Sequence, residues 1–334
     1  MTRISSEPYG RLADGRDVTG YLLTSNFLTV RVIEWGVRTT AITMGDRAPN
    51  LVLSNPDLAS YEADKVYLGA VVGRYANRIR KARFALDGKE VQLSVNRNDY
   101  HIHGGVSGFA HRLWRSELVG QGIRFSLHSP DGDEGYPGNL DVSVEVRLLN
   151  NVLEYRYQAT TDQDTVINLS NHSYFNLDGG EDILQHRLQL EADEYIAIDD
   201  QLLPTGAVLP VDGTAFDFTR MKPVGREIDS ADPQLVLAGG YDHCFVLRNG
   251  SEVDMPRLAA TLEGKMVLMK VYTTEPGIQF YSGNHLANRR QGLCLETQHF
   301  PDSPNHPEFP STLLRAGQNY ASITRFEFEA VSSL

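Results

Sequence analysis

The chain has few cysteines and no long apolar run. Cys244 and Cys294 are the two cysteines among 334 residues, which is too few for a disulfide framework, and they have no metal-ligand spacing. Both lie among apolar residues, so we expect small core residues in a reducing compartment. The longest apolar run, "YLGAVVG" from Tyr67, is far shorter than the roughly 20 residues that a transmembrane helix needs.

Basic charge is scarce as well. The chain carries 31 Lys and Arg against 43 Asp and Glu, which gives a formal net charge of -12. Such a protein repels phosphate backbones and anionic membrane surfaces, so neither nucleic acid nor membrane partners are expected. The N-terminal stretch, "MTRISSEPYGRLADGRD", lacks the apolar core of a signal peptide. Together these absences predict a cytoplasmic protein.

Helical periodicity is also scarce, and the dominant period is two residues. In "LDVSVEVRLLNNVLEYRYQATT", apolar and polar residues alternate, Asn150-Asn151 predicts a turn, and the alternation then resumes. A second hairpin is predicted in "RFALDGKEVQLSV", because Asp87-Gly88 supplies the positive φ angles of a tight turn. The same alternation is present in "NFLTVRVIEWG", "HRLQLEADEYIAI" and "ASITRFEFEAV".

The organisation of the chain is that of a single unit. No linker and no repeat of fixed period divides it, and 29 Gly with 15 Pro mark frequent turns. We therefore predict one mostly β, antiparallel domain over residues 1–334, large enough to bury an extensive core. The alternation by itself leaves open whether the sheets form a sandwich or a closed barrel.

Polar residues interrupt the β pattern in six places. Each interruption sets His, Asp, Glu, Asn, Gln or Arg beside aromatic residues and glycines. Buried polar groups are costly unless they find a protein partner or a ligand. The first five segments are "GRYANRI" (73–79), "HIHGG" (101–105), "NHSYFNLDGG" (171–180), "YDHCF" (241–245) and "EPGIQFYSGN" (275–284).

The sixth, "GLCLETQHFPDSPNHPEFP" (292–310), takes an apolar strand into Glu296 and then through four prolines. A catalytic carboxylate needs such a rigid support, since misplacement by about one ångström costs roughly 100-fold in rate. Glu296 by itself is equally compatible with a strand-end carboxylate paired to an arginine. Each histidine, taken alone, is also compatible with a structural role.

The polar segments together indicate acid–base chemistry on a carbohydrate. A histidine and a carboxylate have unperturbed pKa values of about 6.5 and 4.3, so a protonated acid and an ionised base can coexist near neutral pH. Amide, carboxylate and guanidinium groups bind hydroxyls, and aromatic planes pack against the apolar face of a sugar ring. No cofactor motif accompanies these residues.

In their order along the chain, these motifs resemble those of the aldose 1-epimerase family, whose members interconvert the anomers of galactose and related sugars. The resemblance covers nearly the whole length and includes "GRYANRI", "HGG", "NHSYFNL", "YDHCF", "EPGIQFYSGN" and "LETQHFPDSPNHPEFP". It implies the family's fold, a large antiparallel β-sandwich known as a supersandwich, of the galactose mutarotase-like type. That fold agrees with the period of two.

The resemblance also implies residue roles. Glu296 in "LETQ" matches the general base that takes the proton of the anomeric hydroxyl, and His172 in "NHSYF" matches the general acid at the ring oxygen. His103 in "HGG" matches a second histidine beside that oxygen. The matches to sugar-binding and lining positions are Asn77, Arg78, Ser173, Tyr174, Asp242 and Gln279. The implied partner is a monosaccharide, with no cofactor and no metal.

One segment departs from the family pattern. The family usually leads into the first histidine with an Asn-Gly-Pro-Asn-like run, whereas this chain has "NRNDYHIHGG". The loop above the site therefore differs, and the sequence leaves the preferred aldose open. It also leaves the oligomeric state open.

Three other functions remain open at the level of the sequence. A metal-dependent sugar epimerase would use His101 and His103 on one strand face, with Glu296 and His299 completing the ligand set. A carbohydrate-binding module would use the polar and aromatic ligands but would not need both Glu296 and His172. A glycoside hydrolase normally needs two carboxylates across the bond, and one strong candidate is present.

Overall fold

Strands dominate the computed structural model, which describes residues 2–45, 49–248 and 255–331. In chain order they are β1 (Arg3–Arg11), β2 (Asp17–Thr24), β3 (Thr29–Ile33), β4 (Arg38–Thr43), β5 (Val71–Val72), β6 (Arg78–Ile79), β7 (Arg83–Leu86), β8 (Lys89–Gln92), β9 (His101–Ile102), β10 (Arg115–Val119), β11 (Gly122–Ser129), β12 (Leu140–Leu149), β13 (Val152–Thr161), β14 (Thr165–Val166), β15 (Ser170–Asn171), β16 (Tyr174–Phe175), β17 (Arg187–Leu190), β18 (Ala192–Ile198), β19 (Pro204–Pro210), β20 (Lys222–Pro223), β21 (Asp242–Leu247), β22 (Arg257–Glu263), β23 (Val267–Thr273), β24 (Gly277–Tyr281), β25 (Leu293–Gln298), β26 (Leu313–Leu314) and β27 (Asn319–Ala330).

The helices are short. They are α1 (Leu58–Glu62), α2 (Pro233–Ala238) and the 3-10 helices Arg80–Ala82, Phe109–His111, Asp133–Gly135, Val224–Arg226 and Ser303–Asn305. Among the described residues, none of the helices has the length and apolar character needed to cross a membrane.

Three large antiparallel sheets form the body of the fold. The largest has nine strands in the order β10-β11-β12-β13-β27-β23-β22-β17-β20. The second has six strands, β16-β25-β24-β21-β18-β19, and the third is β1-β2-β3-β4. Each strand order has two ends, so these sheets are open rather than closed barrels. The neighbouring strands within all three pair antiparallel.

The three sheets share one continuous core. Val144 on β12, Phe280 on β24 and Val30 on β3 come from different sheets, are fully buried, and belong to the same hydrophobic cluster. Sheets that are apolar on one face are stable when they pack those faces together. The predicted mostly β, antiparallel sandwich is therefore confirmed.

Both predicted hairpins are present. Strands β12 and β13 pair along their whole length, and Asn150 adopts the left-handed conformation (φ 61°) at the turn between them. Asp87 (φ 48°) and Gly88 (φ 75°) connect β7 to β8 in the same way. Short polar side chains and glycine tolerate this conformation, which is why these turns are readable from the sequence.

One alternating stretch divides between two sheets. "HRLQLEADEYIAI" forms β17 in the nine-stranded sheet and β18 in the six-stranded sheet, with the break at Glu191. The Glu191 N–H donates to the Ala259 carbonyl, and its own carbonyl accepts from Arg248. Alternation reports which face is buried but not which sheet the strand joins, because the sheets share a single core.

Candidate active site

The floor of the candidate site is one face of three neighbouring strands in the six-stranded sheet. Side chains alternate along a strand, so Cys294 and Glu296 project from the same face of β25. The register across β25, β24 and β21 aligns two rows of side chains, Glu296–Gln279–Cys244 and Cys294–Tyr281–Asp242. The whole of β25 is buried, which holds Glu296 on a rigid support.

The opposite wall comes from the segments around β6 and β9. The His103 backbone N–H donates to the Asn77 carbonyl at 3.0 Å. In return, the Asn77 N–H donates to Nδ1 of the His103 ring at 3.1 Å. Because Nδ1 accepts this bond, the neutral His103 ring carries its hydrogen on Nε2 and presents it as a donor.

Backbone geometry explains the glycines in "HIHGG". His103 has a φ of 51° and Gly104 a φ of 86°, both in the left-handed region. A Cβ atom on Gly104 would lie 1.7 Å from the Gly73 carbonyl oxygen. Glycine is therefore required where the His103 loop packs against the segment that leads to Asn77.

His172 faces Glu296 across the site. Its Nε2 lies 3.7 Å from Oε1 of Glu296, and its Nδ1 lies 3.5 Å from Sγ of Cys294. One side-chain atom from each of His103, His172 and Glu296 lies within 4.8 Å of the others. The structure thus brings together the three residues predicted to be catalytic, all of them at least 95% buried.

Burial sets the protonation state of this cluster. It raises the pKa of Glu296 well above its usual value, and the nearby Asp242 charge adds to this effect. It lowers the pKa of His172 to about 4 and the pKa of His103 well below its usual range. Low dielectric favours the neutral form of each group.

Both shifts oppose the ionised base and protonated acid that the sequence-based expectation placed together near neutral pH. That expectation used unperturbed pKa values, which hold for groups in water. Burial instead favours the neutral form of each group, which shifts the exchangeable proton toward Glu296. The ionised pair and the neutral pair both carry one exchangeable proton. It lies on His172 in the ionised pair and on Glu296 in the neutral pair.

Asp242 connects two of the predicted sugar ligands. One carboxylate oxygen accepts from Nη2 of Arg78 at 3.1 Å, and the other accepts from Nε2 of Gln279 at 2.7 Å. Burial opposes ionisation of Asp242, but Arg78 and Gln279 outweigh it and lower the pKa. The two carboxyl groups of the site therefore differ in ionisation. Asp242 is ionised, whereas burial favours the neutral form of Glu296.

Several buried polar atoms of the site have no hydrogen-bond partner among the described residues. They are Oε2 of Glu296, Oε1 of Gln279 and Nε of Arg78. Buried polar groups are as a rule hydrogen-bonded, and these include both acceptors and a donor. A ligand with several hydroxyl groups matches this mixture.

The remaining predicted residues take different positions. Asn77 accepts a hydrogen bond from the Arg78 backbone N–H at 3.0 Å, and its Oδ1 lies 3.4 Å from Nη1 of Arg78. The ring of Tyr174 lies 5.0 Å from the ring of His172, and β16 pairs this residue with Cys294. Ser173 is buried, and its backbone N–H donates to the Asn171 side chain.

The metal-ligand set that the sequence left open is not assembled. His101 contacts the Tyr136 hydroxyl through Nε2 at 2.7 Å and the Ser94 carbonyl through Nδ1 at 2.7 Å. Nδ1 of His299 lies 2.6 Å from Glu275. The cluster with ligand spacing is instead His103, His172 and Glu296, within the part of the chain that the structure describes.

Sequence reasoning missed Tyr67. Its ring centroid lies 4.7 Å from the His103 ring and 5.8 Å from the His172 ring, so it contacts both histidines from one side. The sequence signal was an aromatic residue at the start of an apolar run, which describes a core residue equally well. Only the fold shows that this ring belongs to the site.

Asn168 was missed as well. Its Oδ1 accepts from the His299 N–H at 2.9 Å, and its Nδ2 donates to the carbonyls of His299 and Ala76 at 3.2 Å each. This fully buried amide joins the end of the Glu296 strand to the segment that carries Asn77. No local pattern distinguishes it from the other asparagines of the chain.

The fold and the site together define a class of protein: an open antiparallel β-sandwich with a buried acid–base site suited to a hydroxylated ligand. Comparison with known sequences narrows the class. The family profile of aldose 1-epimerase matches residues 20–327. Galactose mutarotase of Rattus norvegicus is 40% identical over 346 aligned residues, which cover 98% of this chain and 99% of that protein.

Two further relatives agree. Aldose 1-epimerase of Escherichia coli K12 is 39% identical and covers 91% of this chain and 92% of its own length. The crystal structure of galactose 1-epimerase from Lactobacillus acidophilus superposes with a TM-score of 0.88 at 30% identity, covering 99% of each chain. The chain belongs to the aldose 1-epimerase family.

Proposed function

We propose that this chain is an aldose 1-epimerase that interconverts the α and β anomers of galactose- and glucose-type aldoses. Family membership at 40% identity supports the activity. The single observation that supports the chemistry is the 3.7 Å distance between Oε1 of Glu296 and Nε2 of His172. The anomeric and ring oxygens of a pyranose are bonded to the same carbon, so their acid and base must stand side by side.

Ring opening follows from this placement. The Glu296 carboxylate takes the proton of the C1 hydroxyl, and the electron pair of that O–H bond forms the C1 carbonyl. The bond from C1 to the ring oxygen breaks, and the ring oxygen takes the proton of His172 Nε2. The aldehyde rotates about C1–C2 and recloses from its other face. Both protons return on closure, so the pair ends each cycle as it began.

Substrate binding supplies the ionised pair that this step needs. A hydroxyl that donates to Glu296 stabilises the carboxylate, as does occupation of the unpartnered Oε2. The proton of Glu296 then resides on His172. Nε2 of His103 is a further donor to the ring oxygen, whose developing charge it stabilises.

The substrate hydroxyls have a set of donors and acceptors beside the reacting carbon. Gln279 presents an unpartnered Oε1 and Arg78 an unpartnered Nε, while Asp242 holds both side chains in place. These residues and Asn77 are the proposed sugar ligands. Tyr67 precedes β5 and Tyr174 lies on β16, and the rings of both contact His172.

Replacement of Glu296 by Gln tests the assignment of the base. The substitution keeps the shape of the side chain but removes the proton acceptor, so we expect mutarotation to fall by ~10²–10⁴-fold. Polarimetry on freshly dissolved α-D-galactose and α-D-glucose, corrected for the spontaneous rate, measures the loss. Sugar binding should remain measurable in the variant by protein-observed titration.

The same assay separates the competing functions. A binding module would leave the spontaneous rate unchanged even with the native chain, and a metal-dependent epimerase would lose activity on chelation. Near-normal turnover by Glu296→Gln would show that another residue is the base. A panel of galactose, glucose, xylose and arabinose would identify the preferred aldose.

We further propose a single domain over residues 1–334 and a cytoplasmic location. One cluster of buried residues extends from Tyr21 on β2 to Phe328 on β27, which supports a single domain. Cys244 and Cys294 are both free and buried, which supports a reducing compartment. Both cysteines are also unsuited to reaction, since burial raises the pKa of each thiol.

A further inference from the structure

A second cluster of titratable side chains lies just beyond the Glu296 strand. Glu275 is 2% exposed, and its two oxygens are both engaged. Oε1 accepts from the Tyr320 hydroxyl at 3.0 Å, and Oε2 lies 2.6 Å from Nδ1 of His299. An ionised carboxylate can only accept, so Nδ1 of His299 is the donor.

This pair is held in its ionised form. Burial opposes the charge on both groups, but His299 lowers the pKa of Glu275 and Glu275 raises the pKa of His299. The His299 side chain is 21% exposed, and Nε2 has no hydrogen-bond partner among the described residues. Nε2 of His299 is therefore available as an N–H donor, and Glu275 compensates the charge of the ring through Nδ1.

A cavity of about 260 Å³ lies beside this pair, and Glu275, His299 and Tyr320 help to line it. The cavity is partly open to solvent, so a small ligand such as a single pyranose ring can enter it. The polar part of the lining includes Ser311, Thr312, Gln318 and Asn319, and the apolar part includes Ile167 and Leu313.

The composition of the lining selects the chemistry of the ligand. Hydroxyl and amide groups both donate and accept, which matches sugar hydroxyls, and the apolar wall matches the C–H face of a ring. The lining residues that the structure describes contain no Lys or Arg, and the chain has a net charge of -12, so an anion is disfavoured. The Glu275 oxygens are already bonded and are not open to a cation.

We propose that this cavity is a second monosaccharide-binding site, separate from the active site, with His299 as its principal donor. The described residues that line the cavity include none of the active-site residues, so the two sites are distinct. They adjoin, because Asn168 ties the backbone of His299 to the segment that carries Asn77. The proposal goes beyond the catalytic function and does not depend on the roles of Glu296 or His172.

NMR of protein that is isotopically labelled at its histidines provides a direct test. The chain has ten histidines, so the ring resonances are few enough to assign. The ring Cε1–Hε1 resonance of His299 is assigned with the variant His299→Gln, and that of His172 with His172→Gln. D-Galactose and D-glucose are then titrated into the full-length native chain. We expect the His299 resonance to shift saturably, with a dissociation constant different from the one reported by His172.

A variant with a blocked cavity makes the test specific. Ser311 is an exposed lining residue, so Ser311→Trp is designed to obstruct the cavity without replacing a core side chain. It should weaken the His299-reported affinity at least about tenfold and leave the His172-reported affinity within about twofold. The matched control is Ser230→Trp, an exposed serine outside the lining, which should change neither.

The outcomes for the two sites are separable. A His299 resonance that does not move, or that moves identically in Ser311→Trp, overturns the second site whatever His172 does. If sugar shifts the His299 resonance but not the His172 resonance, the proposed active site is contradicted and the second site is supported.

Discussion

The two carboxyl groups of the active site show how surroundings decide the state of a side chain. Asp242 and Glu296 are both buried on one face of the same sheet. Asp242 is ionised because Arg78 and Gln279 donate to it, whereas Glu296 lacks such donors and burial raises its pKa. The role of each carboxyl group therefore follows from its hydrogen-bond partners and not from its residue type.

The pH dependence of the reaction follows from these states. The active pair of Glu296 and His172 carries one proton, and a second proton binds only when His172 titrates, at a pKa of about 4. We expect kcat/KM to stay flat as the pH falls through 6.5 and to decline only near 4. Its alkaline limb should lie well above the usual carboxyl range, where Glu296 loses its proton.

Polarimetric kcat/KM values between pH 3.5 and 9, corrected for buffer catalysis, check this profile. An acid limb centred near 6.5 would mean that His172 titrates as if it were in water. The matched variant is His128→Gln: His128 lies on the exposed side of β11, paired with Asp141, so the profile should not change.

At the scale of single elements, the loop that carries His103 depends on close backbone packing. Gly104 meets the Gly73 carbonyl at a distance that leaves no room for a Cβ atom. Gly73 and Asn77 belong to the same segment, so displacement of the loop moves His103 and Asn77 together.

Gly104→Ala should therefore reduce both stability and activity. The left-handed conformation alone costs an alanine ~1–2 kcal/mol, and relief of the backbone contact adds to that cost. We expect kcat to fall at least about tenfold, because His103 moves out of position. Urea unfolding and mutarotation kinetics measure the two effects.

Gly88→Ala is the matched control for this prediction. Gly88 has a φ of 75°, but a Cβ atom there would meet nothing within 4 Å. This variant should lose only the stability that the left-handed conformation costs an alanine, and it should retain full kcat. Equal losses of stability and activity in the two variants would contradict the role of the Gly73 contact.

The turn that carries Tyr67 is a second element that supports the site. Nη1 of Arg38 lies 2.7 Å from Oδ2 of Asp64, and both side chains are at most 3% exposed. Asp64 also accepts from the N–H groups of Val66 and Leu68, and Arg38 donates to the Leu68 carbonyl. The pair thus fixes Tyr67 between Val66 and Leu68.

Asp64→Asn should be strongly destabilising, because it leaves the Arg38 charge buried without compensation. Loss of one partner of a buried ion pair typically costs ~3–5 kcal/mol, which calorimetry or urea unfolding measures. KM should rise as well, since Tyr67 is no longer held against His103. The exposed pair Arg83–Glu90 offers the comparison: Glu90→Gln should cost less than ~1 kcal/mol and leave KM unchanged.

For the molecule as a whole, buried histidines make stability depend on pH. Burial lowers the pKa of His101 and His172 to about 4 and that of His243 to about 3, whereas all three titrate near 6.5 when unfolded. Below pH 6.5 the unfolded chain therefore binds more protons than the folded chain. The stability that these three buried histidines contribute is therefore complete above pH 6.5 and is lost as the pH falls below it.

We expect the free energy of unfolding to decrease from pH 6.5 to 4.5, each histidine contributing up to ~1.4 kcal/mol per pH unit. Glu296 opposes this trend, because its raised pKa makes the folded chain bind a proton in the same range. Glu296→Gln should accordingly steepen the slope. Urea midpoints measured at constant ionic strength test both statements, and a flat native profile with an unaltered variant slope would refute them.

The sequence by itself determined the local features of this protein. Alternation gave the strands, the Asp87-Gly88 and Asn150-Asn151 turns gave two hairpins, and the order of the polar motifs indicated the family. These features are readable because turn conformation and the burial of a strand face depend on neighbouring residues. The same alternation placed Cys294 and Glu296 on one face of β25.

Only the tertiary structure decided which distant groups meet. It placed Tyr67 against the histidines, set His299 against Glu275 rather than Glu296, and divided "HRLQLEADEYIAI" between two sheets. Burial by remote segments also raised the pKa of Glu296 and lowered that of His172. The physical reason is that protonation and pairing depend on dielectric surroundings and charges contributed by remote segments, which no local pattern contains.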